Sequence, residues 1–345
     1  MPPEPSVTII GRGLAGAVLV EVLRDRGSAV RVFDKPQAGN ASRVAAGVVN
    51  PVVLRRTVLS WRADHLLPVA ERFYRDMEER YGVKLWHPIP MARLFGNERE
   101  REAWQLKCSE TGLAPFLSTD EVMPIGIGQV LAPHGYGVVK RCAWLDVPAF
   151  LAAQRDRLLA EGSLVEDAAP EPGADELTVH CTGSFSGVPG LVPVKGELLT
   201  VRIPGLDLRT MVHRRGFLLP LGDDHYRLGS TFVWENVWSG PTEKAKQELL
   251  QRLSQITPLP VEVIDHHAGV RPASRDRRPI LGRLSPPSPQ GHPPNGGDPA
   301  ERGAVFNGLG SRGVLLAPWC AMHLADHLLL GAPLDPEVDL ARFSG

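Results

Sequence analysis

Two sets of residues in this chain could do chemistry on a bound molecule. The first is Gly11, Gly13 and Gly16, a G-x-G-x-x-G turn, with Asp34 following at the end of the next apolar run. Gly11 permits a tight turn, Gly13 lets a backbone approach a pyrophosphate, and Gly16 lets a helix lie close against a sheet. A helix starting there aims unpaired N–H groups and the positive end of its dipole at the phosphates. Asp34, about twenty residues on, would accept hydrogen bonds from ribose hydroxyls and repel a 2′-phosphate. The second set is Gly269-Val270-Arg271-Pro272. A guanidinium fork matches a carboxylate in a bidentate pair, so Arg271 suits an acidic substrate, while Asp276 is near enough in sequence to claim it for a structural ion pair.

The elements needed to position these residues are legible around them. Val7 to Ile10 reads as a strand, the segment to Arg26 as a helix closed by Gly27, and Ala29 to Phe33 as a second strand. After a polar turn from Lys35 to Asn40, Ala41 to Pro51 is a row of small residues that lets a flat ring approach the backbone. An amphipathic helix is expected over Asp64 to Tyr81, with Pro68 near its first turn and Gly82 as its stop. A helix follows Asp146 as far as Glu161, and Leu164 to Glu166 and Leu177 to Cys181 read as strands, the latter entering a Thr182-Gly183 turn.

Gly196 to Ile203, Arg209 to Val212, Phe217 to Leu221, Tyr226 to Gly229 and Val261 to Ile264 read as an antiparallel sheet, covered by a helix from Glu243 to Ile256. Ser285 to Pro299, rich in Pro, Gly, Ser and Asn, reads as a surface loop. Ala304 to Asn307 forms a last strand before a glycine turn, and Pro318 to Leu330 a last helix.

Composition narrows the field. At 345 residues and a net charge of −1, the chain has room for two domains and no global attraction to nucleic acid or anionic membrane. The apolar runs fall short of the roughly eighteen residues of a membrane span, and Met1 to Pro5 lacks the pattern of a signal peptide, so a cytoplasmic location is expected. The four cysteines are scattered without C-x-x-C and read as free structural thiols. His323 and His327 stand four apart with no third ligand in view, so a helix surface is expected and no metal. His266 and His267 read as structural or solvent-facing, and Trp234 and Trp238 as packing residues. No G-x-S-x-G elbow argues for a hydrolase.

Four ordered blocks, Gly11 to Asp34, Ser42 to Gly47, Gly269 to Pro272 with Pro279 to Gly282, and Asn307 to Val314, resemble the FAD-dependent D-amino acid oxidase and glycine oxidase family. The likeness extends to the oxidase half of bifunctional tRNA methylaminomethyl-uridine biosynthesis proteins. It implies an α/β fold, with a doubly wound, Rossmann-like FAD-binding domain from residues 1–85, 140–190 and 265–345. An α+β substrate domain with an antiparallel sheet would come from residues 86–139 and 191–264.

It also implies site residues. Gly11, Gly13, Leu14, Ala15, Gly16, Asp34 and Lys35 would serve the dinucleotide, and Ser42, Arg43, Ala45, Ala46 and Gly47 the pyrophosphate and flavin. Val165 would touch the adenine side, Thr182 and Gly183 the phosphates, and Gly308, Gly310, Ser311, Arg312, Gly313 and Val314 the flavin's pyrimidine edge. Arg271 would bind the substrate carboxylate, with Phe217 and Phe232 facing the substrate from strands. Phe217 departs from the tyrosine often found there, which puts glycine itself in doubt as the substrate. Pro272-Ala273-Ser274 offers no cysteine for covalent attachment, so noncovalent FAD is implied.

The implied reaction is oxidation of a carboxylate-bearing primary or secondary amine to an imine, hydride passing to the flavin and oxygen or another acceptor taking the electrons. Such chemistry needs orientation and exclusion of water rather than an acid/base dyad. Two alternatives stand beside it: an oxidase that modifies the tRNA wobble uridine, and a flavin-binding partner subunit or electron carrier without amine turnover.

Overall fold

The computed structural model describes residues 6–119, 129–168, 177–284 and 303–343. The loop expected over Ser285 to Pro299 lies outside these. Val7 and Ile9 point into the core at zero exposure, and their strand, Ser6–Ile10, is central in a six-stranded sheet. In order across that sheet run Leu164–Val165, Ala29–Phe33, Ser6–Ile10, Leu177–His180, Ala304–Asn307 and Ile280–Arg283. All pairs are parallel except the last. The chain leaves Ser6–Ile10 toward one neighbour and returns later on the other side, which opens a crevice at the carboxyl ends of the central strands.

Three helices back this sheet in series, Leu14–Asp25 against Gly313–Leu330 and that in turn against Ala63–Tyr81. Ala63–Tyr81 ends at Gly82 in the left-handed region as expected, but Pro68 falls in its second turn rather than its first. Gly313–Leu330 begins five residues earlier than the sequence suggests, with Pro318 inside it. A proline in that position cannot donate to the carbonyl of Val314. The buried Tyr74 hydroxyl, on Ala63–Tyr81, donates to that carbonyl instead at 3.1 Å, and burial holds its pKa well above the ordinary tyrosine value. At this full length the helix is long and apolar enough to cross a membrane, contrary to the expectation from sequence. Leu315, Ala317, Cys320, Ala321, Leu324 and Ala325 are instead buried in the protein core.

The second large sheet has eight strands. In order they are Glu262–Ser274, Leu191–Arg202, His225–Gly229, Phe217–Gly222, Met211–His213, Met91–Leu94, Tyr136–Val139 and Leu117–Ser118. It is antiparallel but for one pair, Met211–His213 with Met91–Leu94, which run parallel. The strand expected over Val261 to Ile264 continues to Ser274, so the Gly269 to Pro272 block is the middle of one long strand paired along Leu191–Arg202. Leu199, Val201, Leu218, Tyr226 and Leu228 form its apolar face with Leu249 and Leu253 of the helix Glu243–Leu253. The opposite face carries Gly196, Leu198, Phe217, Gly229 and His213, and it fronts a cavity.

Candidate active site

A single cavity of about 1070 Å³ runs from the opening glycine turn to the face of the eight-stranded sheet. At one end lie Gly11, Gly13, Leu14, Ala15, Asp34 and Lys35. Gly11 has φ +94°, and a Cβ on it would sit 2.7 Å from the carbonyl oxygen of Cys181. A Cβ on Gly16 would lie 2.0 Å from the carbonyl oxygen of Gly11, so this glycine sets the approach of helix to strand without itself lining the cavity. Two backbone donors at the turn are already engaged: Arg12 N–H donates to Asp34 Oδ1 at 2.9 Å, and Leu14 N–H to Ser42 Oγ at 2.9 Å. Asp34 thus closes the turn with one oxygen while its side chain lies at the cavity wall, and Ser42 ties the next segment to the helix start.

The middle of the cavity is walled by Ser42, Ala45, Ala46 and Gly47 on one side and by Thr182 and Gly183 on another. Gly310, Ser311, Arg312, Gly313 and Val314 close a third. The small-residue segment stays close to the sheet because Gly47 is at φ +70°, where a Cβ would overlap the Leu145 carbonyl at 1.9 Å. Burial pulls the Arg312 guanidinium below its ordinary pKa, helped by the neighbouring charges of Arg277, Arg278 and Arg56.

Arg43, Val165 and Gly308 are not brought to the wall. Arg43 is half-exposed and turns back toward Asp34, with 3.8 Å between Nη2 and Oδ2. Val165 pairs with Phe33 and gives its carbonyl to the Asp34 N–H; Asp167 and Ala168 reach the cavity in its place. Gly308, at φ +72°, packs against Ile280, where a Cβ would lie 2.7 Å from Cγ1.

At the far end Arg271 lies across Gly196, where a Cβ would be 1.9 Å from its Nη2. Its Nη1 donates to the Thr231 carbonyl at 3.2 Å and its Nη2 to Ser230 Oγ at 2.8 Å, and the Phe232 ring stacks on the guanidinium with 4.4 Å from Cζ to the centroid. Among the described residues no carboxylate pairs with it; Asp276 is held by Arg342 at 2.7 Å. Burial pushes the pKa of Arg271 down to about 10. A fixed, desolvated cation with no protein anion opposite it is a receptor for an anionic ligand.

Phe217 sits on the strand Phe217–Gly222, with its ring over Gly229. Phe232 does not lie on a strand. It belongs to an extended segment that bonds back through Val233 to Lys195 and through Thr231 to Glu197, which leaves the outward rings exposed. Trp234 and Trp238 are therefore 63% and 51% exposed instead of packed inside, Trp238 lying against Phe185 with 4.9 Å between centroids. Underneath, Glu197 is fully buried, paired with Lys195 at 2.8 Å and His266 at 2.9 Å, and it accepts from the N–H and hydroxyl of Thr242. Desolvation would raise the Glu197 carboxyl, but the bonds from Lys195 and Thr242 hold it below its usual pKa. His267 pairs with Asp265 at 2.8 Å, so both histidines are structural.

Sequence reasoning missed Arg93, His213, Arg215 and Arg252, which also line this end. They belong to three separate stretches of chain that no motif connects, although the two adjacent arginines beside His213 are a visible signal. Burial pushes His213 down to about 3, with the charge of Arg93 adding to the effect, so the ring is neutral. Among the described residues no three His, Cys, Asp or Glu side chains converge, and His323 and His327 tie down the backbone at Asp335 and Ala332.

The glycine turn, the acid at the second strand and an elongated cavity ending at a cationic receptor fit a dinucleotide with a small acid beyond it. A family model described as FAD dependent oxidoreductase matches residues 6–327. A D-amino-acid oxidase of Rubrobacter xylanophilus is 30% identical over 94% of this chain and 96% of its own. The tRNA 5-methylaminomethyl-2-thiouridine biosynthesis bifunctional protein of Idiomarina loihiensis is 25% identical over 98% of this chain, which spans 59% of that relative's length. Among solved structures, glycine oxidase from Geobacillus kaustophilus superposes with a TM-score of 0.74 at 22% identity, covering 98% of this chain and 97% of that one.

Proposed function

The chain belongs to the D-amino acid oxidase family of FAD-dependent oxidoreductases, and from that premise we propose that it oxidises a carboxylate-bearing primary or secondary amine to an imine. The cofactor is noncovalent FAD. In this reading the six-stranded sheet serves the cofactor and the eight-stranded sheet the substrate. The observation that carries it is Arg271: a desolvated guanidinium, unpaired among the described residues, at the end of the cavity that begins at Gly11.

The substrate carboxylate would take the Arg271 fork, whose orientation is fixed by Ser230, Thr231 and the stacked Phe232. Phe217 and Phe232 line the cavity beside Arg271 and would flank the amine. FAD, when bound, would supply the two-electron acceptor for the hydride that leaves the substrate carbon. The nitrogen gives up its proton as the carbon–nitrogen double bond forms, and oxygen reoxidises the cofactor.

The test is anaerobic titration of the FAD-loaded protein with amino acids and N-alkyl glycines. At least one is expected to bleach the flavin absorbance, with one hydrogen peroxide per turnover on admitting air. Arg271→Met is expected to keep FAD and lower kcat/KM by about 10²-fold or more, as loss of charge-assisted hydrogen bonds of about 1.5–3 kcal/mol each requires. FAD that stays oxidised across the whole panel would overturn the reading.

A further inference from the structure

The Arg271 fork takes its orientation from a segment that is neither strand nor helix. Its two hydrogen bonds, to the Thr231 carbonyl at 3.2 Å and to Ser230 Oγ at 2.8 Å, and the Phe232 ring stacked on it all come from residues 230–232. These open a strap, Ser230 to Thr242, between the strand His225–Gly229 and the helix Glu243–Leu253. Residues 234–236 in its middle are exposed, so the strap takes its geometry from its two ends.

Both ends are held by Lys195 and Glu197, on the strand Leu191–Arg202. At the first end Thr231 N–H donates to the Glu197 carbonyl at 3.1 Å and Thr231 Oγ1 accepts from the Glu197 N–H at 2.9 Å. Val233 exchanges two main-chain bonds with Lys195, at 2.9 and 3.0 Å. At the second end the side chains take over. Lys195 Nζ donates to Ser239 Oγ at 2.9 Å and to the Gly240 carbonyl at 3.0 Å. The Glu197 carboxylate accepts from the Thr242 N–H at 2.7 Å and from its hydroxyl at 2.9 Å. The two side chains meet each other at 2.8 Å, at 4% and 0% exposure. Alternation along the strand turns them away from Gly196 and Leu198, which face the cavity, so neither side chain lines it. All three ammonium hydrogens and both carboxylate oxygens are thereby engaged.

We propose that the buried Lys195–Glu197 pair is the positioning device of the carboxylate receptor, fixing from the far face of the sheet both the backbone that Arg271 lies across and the strap that bonds and stacks on it. That backbone is Gly196, which stands between the two, and a Cβ built there would be 1.9 Å from Arg271 Nη2. Two apolar residues of the same volume would avoid the cost of desolvating two charges. What the ion pair adds is direction, since it sets where each donor and acceptor of the strap must stand. A fork that offers two parallel donors to one carboxylate needs that, because misalignment weakens either bond steeply.

The inference rests on the reading of Arg271 given above, and the experiment separates the two. Methylthioacetate, a carboxylate that cannot form an imine, is titrated into the FAD-loaded protein and its Kd read from the flavin absorbance. Glu197→Gln keeps the shape of the side chain and removes the charge opposite Lys195. Its Kd is expected to rise about tenfold or more, the loss of one well-aligned charge-assisted bond to the ligand, with FAD retained. In an Arg271→Met background the same change is expected to alter Kd by about twofold at most, because the pair acts through the guanidinium. Adding Lys195→Met to Glu197→Gln removes both charges together and is expected to weaken binding no further. Where Glu197→Gln yields no FAD-loaded protein, Thr242→Val deletes one bond to the carboxylate and makes the same test, with an expected rise of about threefold. An unchanged Kd in Glu197→Gln, or in Thr242→Val where that variant stands in, overturns the positioning role. So does a rise that persists undiminished in the Arg271→Met background, the mark of a general lesion in the fold, and so do additive losses from Lys195→Met and Glu197→Gln. Indifference of methylthioacetate to Arg271→Met itself removes the carboxylate receptor, and this inference with it.

Discussion

The two ends of the cavity are built in opposite ways. The dinucleotide end is backbone: a glycine turn, a helix start and an acid drawn from one continuous stretch, Gly11 to Asp34, fixed by bonds such as Arg12 N–H to Asp34. The end proposed for the substrate is side chain, four arginines and two phenylalanines carried by five separate segments brought together by strand pairing, by the helix Glu243–Leu253 and by the extended segment around Phe232. A backbone site tolerates no added atom, whereas a side-chain site can be retuned without disturbing the fold. Substitutions at the first end should therefore abolish cofactor binding, and those at the second should spare the cofactor and change the substrate.

Gly16→Ala is the severest test of that contrast. The new Cβ would fall 2.0 Å from the Gly11 carbonyl oxygen, a backbone atom that no side-chain rotation can move aside, with Cys181 Cβ at 3.2 Å beyond. Overpacking of this kind typically costs about 1–3 kcal/mol unless the turn moves, so the turn is expected to shift and FAD affinity to fall about tenfold or more by fluorescence titration. FAD binding within a few-fold of wild type would show that the turn is softer than its geometry implies.

Gly196→Ala makes the complementary test. Its Cβ would also overlap a neighbour, at 1.9 Å, but that neighbour is the end of the Arg271 side chain. The fold and FAD should survive while the guanidinium moves, and misplacement of about 1 Å costs up to roughly 10²-fold in kcat/KM. The pH profile reports on the same group. With its pKa pushed down to about 10, the free enzyme's Arg271 is charged below that pH and loses its proton above it. Wild-type kcat/KM should then decline above about pH 10, and an unchanged profile to pH 11 in a protein that keeps its FAD would show that Arg271 stays charged despite its burial.

The same contrast explains what the sequence could disclose. Gly11, Gly13, Gly16 and Asp34 were readable because they lie in one short stretch of fixed spacing, although of the three glycines only Gly16 is required by a contact within that stretch, Gly11 being pressed against Cys181. Arg271 was readable as a motif, but its receptor was not: Gly196, Ser230 and Phe232 reach it through strand pairing and through a loop held by the buried Glu197. Arg93 and His213 stand side by side only through a parallel pair between segments 120 residues apart, and local pattern does not encode such a pairing. Arg43 and Val165 fail for the reverse reason. Their segments reach the site, but Arg43 turns back toward Asp34 and Asp167, two residues beyond Val165, makes the approach.

The last helix shows how a sound local rule is overridden, and it yields the smallest of the expected effects. Proline usually opens a helix because its missing N–H costs nothing there, which places the start of this one at Pro318. The observed start at Gly313 leaves the Val314 carbonyl without its helical donor, at the very turn that lines the cofactor end. Tyr74 supplies the donor from the neighbouring helix, so Tyr74→Phe should leave a buried carbonyl unsatisfied and cost about 1–3 kcal/mol. For a chain of this size that is a fall in Tm of roughly 2–4 °C per kcal/mol or less, measurable by scanning calorimetry. Pro318→Ala returns an N–H to the same carbonyl, so in that background the tyrosine hydroxyl should matter much less. The double-mutant cycle is expected to show a coupling of about 1 kcal/mol between residues on different helices. Additive effects would mean that Val314 is satisfied by some other donor and that the early start of the helix does not depend on Tyr74.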